Sequence, residues 1–79
     1  MKEKNHLILS QIFRIIFELD DNEDVENIRR LNEIKWDSIA NVTLATAIES
    51  EFNIKIHNSD LDRFTSFKSI ELFINEKNQ

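Results

Sequence analysis

Apolar residues recur at helical spacing in three stretches of the chain. Ile8, Ile12, Ile15, Ile16 and Leu19 fall at i, i+4, i+7, i+8 and i+11, one stripe of a helix, and Phe13 and Phe17 widen it. A first helix is predicted over about Glu3 to Leu19. It should stop at Asp20-Asp21-Asn22-Glu23-Asp24, because Asp and Asn compete for backbone hydrogen bonds. Val25, Ile28, Leu31 and Ile34 then recur every third residue among charged neighbours. They predict a long connection, Asp20 to Asp37, with a helical turn or two and four apolar anchors to the core. A connection of that length in a small domain needs such anchors or a function. The next helix is predicted over Ser38 to Phe52, with Ile39, Val42, Ala45 and Phe52 at helical spacing and Leu44, Ala47 and Ile48 alongside. Asp37 or Ser38 is its N-cap, a short side chain that accepts from the first exposed N–H groups. Asn53 is the left-handed residue that ends it, since no Gly is available. Ile54-Lys55-Ile56 alternates like a strand, but three residues make no sheet. Asn58-Ser59-Asp60 predicts the start of a short helical turn through Phe64. Thr65 or Ser66 caps the last helix, about Phe67 to Glu76, with Phe67, Ile70, Phe73 and Ile74 on its apolar face. The expected fold is all-α: a small four-helix bundle of three main helices and a short one, with the long loop between the first two.

The 79 residues read as one small domain. A chain of this size buries only about 60% of its unfolded surface, so a net stability of about 4 to 12 kcal/mol is expected. No Cys is present, which excludes a disulfide framework, a thiolate zinc site and a cysteine nucleophile. No Gly is present either, which excludes a P-loop and a dinucleotide fingerprint. Apolar runs such as Leu7 to Leu9 and Ile15 to Phe17 are too short for a membrane span or a signal peptide, so a cytoplasmic protein with no membrane partner is expected. The net charge of −5 repels nucleic acid and favours basic partner surfaces.

Candidate chemistry is sparse. Asp20-x-Asn22-x-Asp24 opens like a calcium-binding loop, but Val25 stands where the turn needs Gly and Leu31 where it needs a bidentate Glu. His6 and His57 are isolated and read as surface residues. Glu49 and Glu51, two apart, point to different faces of one helix and form no paired-carboxylate site. Glu33 and Asp37 flank Trp36, itself a core or rim anchor. No catalytic constellation emerges, so an enzyme is not expected. Ser38 differs: it stands at the first turn of a strongly periodic helix, where N–H groups point outward and the dipole favours negative charge. A phosphate ester there would be stabilised by the helix it stands on. The plain alternative is that Ser38 only caps.

The second half, read together, narrows this. Asp37-Ser38-Ile39, then Ala47-Ile48-Glu49-Ser50-Glu51-Phe52-Asn53-Ile54-Lys55-Ile56, then Asp60 and Leu61, then Phe64-Thr65-Ser66-Phe67 and Ile70 resembles an acyl carrier protein. The family pattern is Asp-Ser-Leu opening a helix, an acidic helix end, Phe-Gly-Ile-x-Ile-Pro, a short acidic turn and a Thr-containing cap. The resemblance runs from about Ile34 onward, and the first helix and long loop suit the same four-helix plan. Lys35 replaces the usual Gly two residues before the Asp, Asn53 the Gly after the helix-ending Phe, and His57 the Pro after Ile56.

The resemblance implies a carrier and not an enzyme. A phosphopantetheinyl transferase would move 4'-phosphopantetheine from coenzyme A onto Ser38, and the arm's thiol would hold acyl or aminoacyl groups as thioesters for acyl-loading and acyl-transfer enzymes. Asp37 would shape the helix start. Trp36, Ile39 and Val42 would give apolar partner contact, and Glu49 and Glu51 charge steering. The first two turns after Ser38 carry no acid, with Ala40, Asn41, Thr43 and Thr46 read as outward. That points to a carrier of a specialised pathway, such as cell-surface or secondary-metabolite acylation, and not the housekeeping fatty-acid carrier; a monomer is expected. The alternatives are a helical protein-interaction module without a prosthetic group and a helix-turn-helix nucleic-acid binder, the latter opposed by the negative charge.

Overall fold

Helix α1 spans Lys2–Ile16, α2 Ser38–Phe52 and α3 Phe67–Lys77 in a computed structural model that describes residues 2–77. A 3-10 turn, Val25–Asn27, interrupts the first connection, and a 3-10 helix, Asn58–Arg63, forms the second. No strand occurs among the described residues, so the all-α expectation holds. The only ladder-like pairing among them is one antiparallel bridge between Arg29 and Ser66. Arg30 N–H donates to Thr65 O at 2.8 Å and Phe67 N–H to Ile28 O at 3.0 Å, tying the long connection to the start of α3.

The helix ends follow side-chain chemistry. α1 stops at Ile16, three residues before the predicted end, because Glu18 turns left-handed at φ 55°. Leu19 N–H then reaches back to Arg14 O at 2.9 Å, closing the end as a Schellman motif without Gly. Arg14 in turn donates to the carbonyls of Asp20 and Glu23 and holds the acidic run against the helix end. α2 has the predicted bounds, and Asn53 closes it at φ 54°. Ser66 starts α3 through a reciprocal pair: Ser69 N–H donates to Ser66 Oγ at 3.0 Å, and Ser66 N–H to Ser69 Oγ at 3.1 Å. In the 3-10 helix, Asp60 Oδ2 accepts from His57 N–H at 2.9 Å.

The core is built on Leu9, Ile12 and Phe13 from α1 with Phe17 just past its end, Leu44, Ala45 and Ile48 from α2, and Phe67, Ile70, Phe73 and Ile74 from α3. Phe64 closes one end, and Val25 and Trp36 close the other side from the connection. The α3 face is the predicted one. The α1 face is rotated from the expected stripe: Ile15 is exposed and Leu9 is fully buried. Of the four expected anchors of the connection, Val25 is buried and Ile28 half-buried, but Leu31 and Ile34 are each 96% exposed. Ile28 O and Arg30 N–H are pinned to α3, and beyond them the chain turns outward, so Leu31 and Ile34 meet no packing partner.

At the far end of α3, Arg63 clasps Glu76 through two hydrogen bonds of 2.8 and 3.0 Å. The Arg63 hydrogen bond holds the Glu76 carboxyl below its ordinary range. A lowered carboxylate adds stability above its unfolded pKa and loses it as pH falls through the folded one. Glu76→Gln should therefore flatten the loss of thermal stability as pH drops below about 4.3. An acid titration followed by circular dichroism checks this, and identical profiles for both proteins would refute it.

Candidate functional site

Two residues divide the work at the start of α2. Asp37 is the cap: its backbone is extended, its Oδ1 accepts from Ala40 N–H at 2.8 Å, and its carbonyl accepts from Asn41 N–H at 2.9 Å. Ser38 is the first helical residue and is exposed, and its hydroxyl makes no hydrogen bond within the described residues. The capping alternative for Ser38 is thereby removed, because Asp37 already fills that place. The Ser38 and Ile39 N–H groups have no acceptor in the described chain, as expected for the first turn of a helix. A free hydroxyl thus stands at the positive end of a 15-residue helix.

This division sets the order of two energies. Asp37→Ala should cost about 0.5 to 2 kcal/mol, the worth of a cap. Ser38→Ala should stay within about 0.5 kcal/mol of the parent, as for an exposed residue without partners. Urea denaturation of the two variants checks the order, and equal losses would contradict it.

Trp36 is the core anchor that its residue type suggested and not the partner contact that the resemblance implied. At 3% exposure it is a core residue and offers no direct partner contact. Its ring sits edge-on to Phe13 at 5.5 Å and tilted against Phe17 at 5.3 Å. Its Nε1–H donates to Asn41 Oδ1 at 2.8 Å. Asn41, read from sequence as an outward polar residue, is buried on the core face of α2 as that acceptor. Large aromatics bury well but need a partner for the indole N–H, and Asn41 supplies it. The pair fastens the first turns of α2 to α1 and so fixes where Ser38 stands.

The outward face of α2 begins with Ile39, 77% exposed, and Val42, 55% exposed. Thr43 and Thr46 follow, their hydroxyls turned back to Ile39 O and Val42 O at 3.0 Å each. Beyond them Glu49 is half-buried, and its Oε2 accepts from Ile56 N–H at 2.7 Å, closing the loop after α2. A shallow groove of about 140 Å³ lies here, walled by Val42, Thr46, Glu49, Ile56 and Leu61. Glu51 is on the other side of the helix, over a hollow shared with Ile8, Ile15 and Ala47. The structure therefore brings Ser38, Ile39, Val42 and Glu49 to one side and leaves Glu51 and Trp36 out.

His57 is exposed, as expected. His6 is more than a surface residue. Its Nδ1 lies 2.8 Å from Glu71 Oε2 and its Nε2 3.3 Å from Glu26 Oε2, while the ring meets Phe67 edge-on at 5.3 Å. It joins α1, the Val25–Asn27 turn and α3, and no local spacing in the sequence signals that. No group of three or more His, Asp or Glu suited to a metal ion occurs among the described residues. No helix among them is long and apolar enough to cross a membrane.

No protein-family model matches the chain. A protein of Thermotoga maritima named acyl carrier protein is 29% identical over 73 residues, which is 89% of this chain and 90% of that one. The similarity to acyl carrier proteins, read from Ile34 onward in the sequence, thus extends to a relative matched over nearly its full length.

Proposed function

We propose that this chain is a carrier protein whose Ser38 hydroxyl takes a 4'-phosphopantetheine arm from coenzyme A. The observation that carries the reading is the free, exposed Ser38 hydroxyl beside the Asp37 cap, in register with the carrier pattern. In the transfer, the bond from Ser38 Oγ to phosphorus forms as the phosphoanhydride of coenzyme A breaks. Adenosine 3',5'-bisphosphate leaves, and the hydroxyl proton passes to a base of the transferase. The arm supplies a thiol that holds acyl groups as thioesters, which a cysteine-free chain does not have.

The chain's own residues prepare the place. Asp37 satisfies the Ala40 N–H and leaves the serine unencumbered. The free N–H groups of the first turn and the helix dipole favour the negative charge of a phosphodiester. Trp36 and Asn41 hold the helix start in position. The role in this reading is carriage and presentation to acyl-handling enzymes.

The α2 face supports a specialised pathway over housekeeping fatty-acid synthesis. Its exposed first turns are Ile39, Val42, Thr43 and Thr46, and the Glu49 carboxylate already serves the Ile56 N–H. Such a surface offers little to a basic partner patch, since exposed charges are screened beyond about 8 Å.

Incubation with coenzyme A, magnesium and a broad-range phosphopantetheinyl transferase should add one phosphopantetheinyl mass, and none to Ser38→Ala. Addition to the Ser38→Ala protein, or none to the parent, would overturn the carrier reading and in the second case leave a plain interaction module. Efficient turnover of the loaded protein by a fatty-acid ketosynthase, falling steeply with salt, would overturn the specialised pathway.

A further inference from the structure

The outward turn of the long connection makes a surface that the carrier role as stated does not use. Leu31 and Ile34 are each 96% exposed, the largest exposures among the big aliphatic residues of the described chain. Ile34 is four residues from Ser38, so its Cα lies within about 14 Å of the serine's. With Ile39 and Val42 it makes three exposed aliphatic side chains within a few residues of Ser38, and Leu31 adds a fourth three residues before Ile34. Scattered single apolar residues on a surface are ordinary, but a group of them beside a candidate site marks an interaction surface.

Cations without an ion pair border this group. Arg29 and Arg30 precede Leu31, and no carboxylate among the described residues pairs with either guanidinium. Together with Leu31, Thr65 and Ser66 they border a groove that reaches the edge of Trp36. Lys68, also without an ion pair there, shares the adjoining hollow with Glu26, Arg29 and Ser66. The acids in this region are occupied. Asp37 caps α2, Glu33 Oε2 accepts from Lys35 N–H at 3.1 Å, and Glu26 faces His6. Lys35 is tied to Glu18 at 3.1 Å. On a chain of net charge −5, this side presents three cations without an ion pair among the described residues, Arg29, Arg30 and Lys68, beside carboxylates that each hold a partner on the chain.

We propose that the Arg29–Ile34 segment is a docking surface for a partner protein whose contact face is apolar and bordered by carboxylates. Leu31 and Ile34 are the apolar anchors. Arg29 and Arg30 pair with the acidic border, where Arg's planar fork suits a carboxylate in two-point contact. A macromolecular partner fits better than a small anionic cargo. A cargo site is concave and encloses its ligand, whereas here the aliphatic side chains stand almost wholly in solvent. In identifying the partner as an acyl-handling enzyme, the proposal rests on the carrier reading of Ser38. The acidic and apolar character of its docking face follows from this surface alone.

The test selects a random 12-residue phage-displayed peptide library on the full chain, with and without prior transferase treatment. Three variants are compared with the parent: Arg29→Glu with Arg30→Glu, Leu31→Ser with Ile34→Ser, and Lys55→Glu as a charge control after α2. Peptides with Asp or Glu beside aliphatic or aromatic residues should be enriched. Their affinity should fall about tenfold or more in the first two variants and hold in the third. All four proteins should keep the same thermal midpoint, because the changed side chains are exposed. Enrichment of basic peptides, loss only in Lys55→Glu, or no enrichment at all would overturn the proposal. So would an arm-borne succinyl group whose thioester hydrolysis quickens in Arg29→Glu with Arg30→Glu while no peptide is enriched, since that result makes the groove a cargo site. An unmodified Ser38 sinks the carrier reading through its mass alone and leaves the peptide result readable on the untreated chain.

Discussion

Phe13→Ala is expected to cost roughly 3 to 5 kcal/mol, against a total of about 4 to 12 kcal/mol for a chain of this length. Phe13 has no exposed surface and touches three other aromatic rings: Phe17 at 5.4 Å, Trp36 at 5.5 Å and Phe67 at 5.1 Å. Two of these contacts are edge-on, the arrangement that ring quadrupoles favour. Truncation therefore removes both the transfer energy of the ring and the contacts between three segments. Ile15→Ala, two residues away, should stay within about 0.5 kcal/mol of the parent, because Ile15 is 78% exposed. Urea denaturation of the pair checks the argument. The midpoint of Phe13→Ala should fall by about a quarter or more at an unchanged slope. Similar small losses for both would mean that the α1 face is not the one described.

Both positions belonged to the apolar stripe legible in the sequence, and their divergence shows what periodicity conveys. It tells which residues share a helix face, not how wide a strip of that face finds a neighbour. α3 was legible because Phe67, Ile70, Phe73 and Ile74 occupy one narrow face and all four are buried, with Leu72 alone of its aliphatic residues exposed off that face. α2 was legible in its bounds, since Asp37 and Asn53 carry strong local chemistry at its two ends. Its inner and outer faces were not, because Ile39 and Val42 outside are as apolar as Leu44 and Ile48 inside. The inward Asn41 escaped notice because its acceptor role depends on an indole brought to it by the fold. Leu31 and Ile34 misled for a related reason. Spacing by three suits a helix, but only Val25–Asn27 forms one, and the rest of the connection is steered by its backbone bonds to α3. The Ser38 register came from a distributed pattern of side chains. Its freedom from capping duty needed the hydrogen bond of Asp37 to be seen.

Trp36→Ala is the second large loss expected, about 3 to 5 kcal/mol from the emptied volume, and it strikes the candidate site directly. The indole is buried against Phe13 and Phe17 and also satisfies Asn41 Oδ1 at 2.8 Å. Removing it leaves a buried amide oxygen unpaired, a penalty of about 1 to 3 kcal/mol by itself. Trp36→Phe separates the two effects, keeping most of the packing and losing the donor. Adding Asn41→Leu to Trp36→Phe should then recover much of the stability, since replacing both partners by apolar groups avoids the unpaired atom. The same series tests how Trp36 serves Ser38. If it acts from inside, by holding the start of α2 against α1, the rate of phosphopantetheine transfer should follow stability. It should drop in Trp36→Phe and return in the double variant. A rate that stays low after stability is restored would mean that the indole itself meets the transferase, contrary to its 3% exposure.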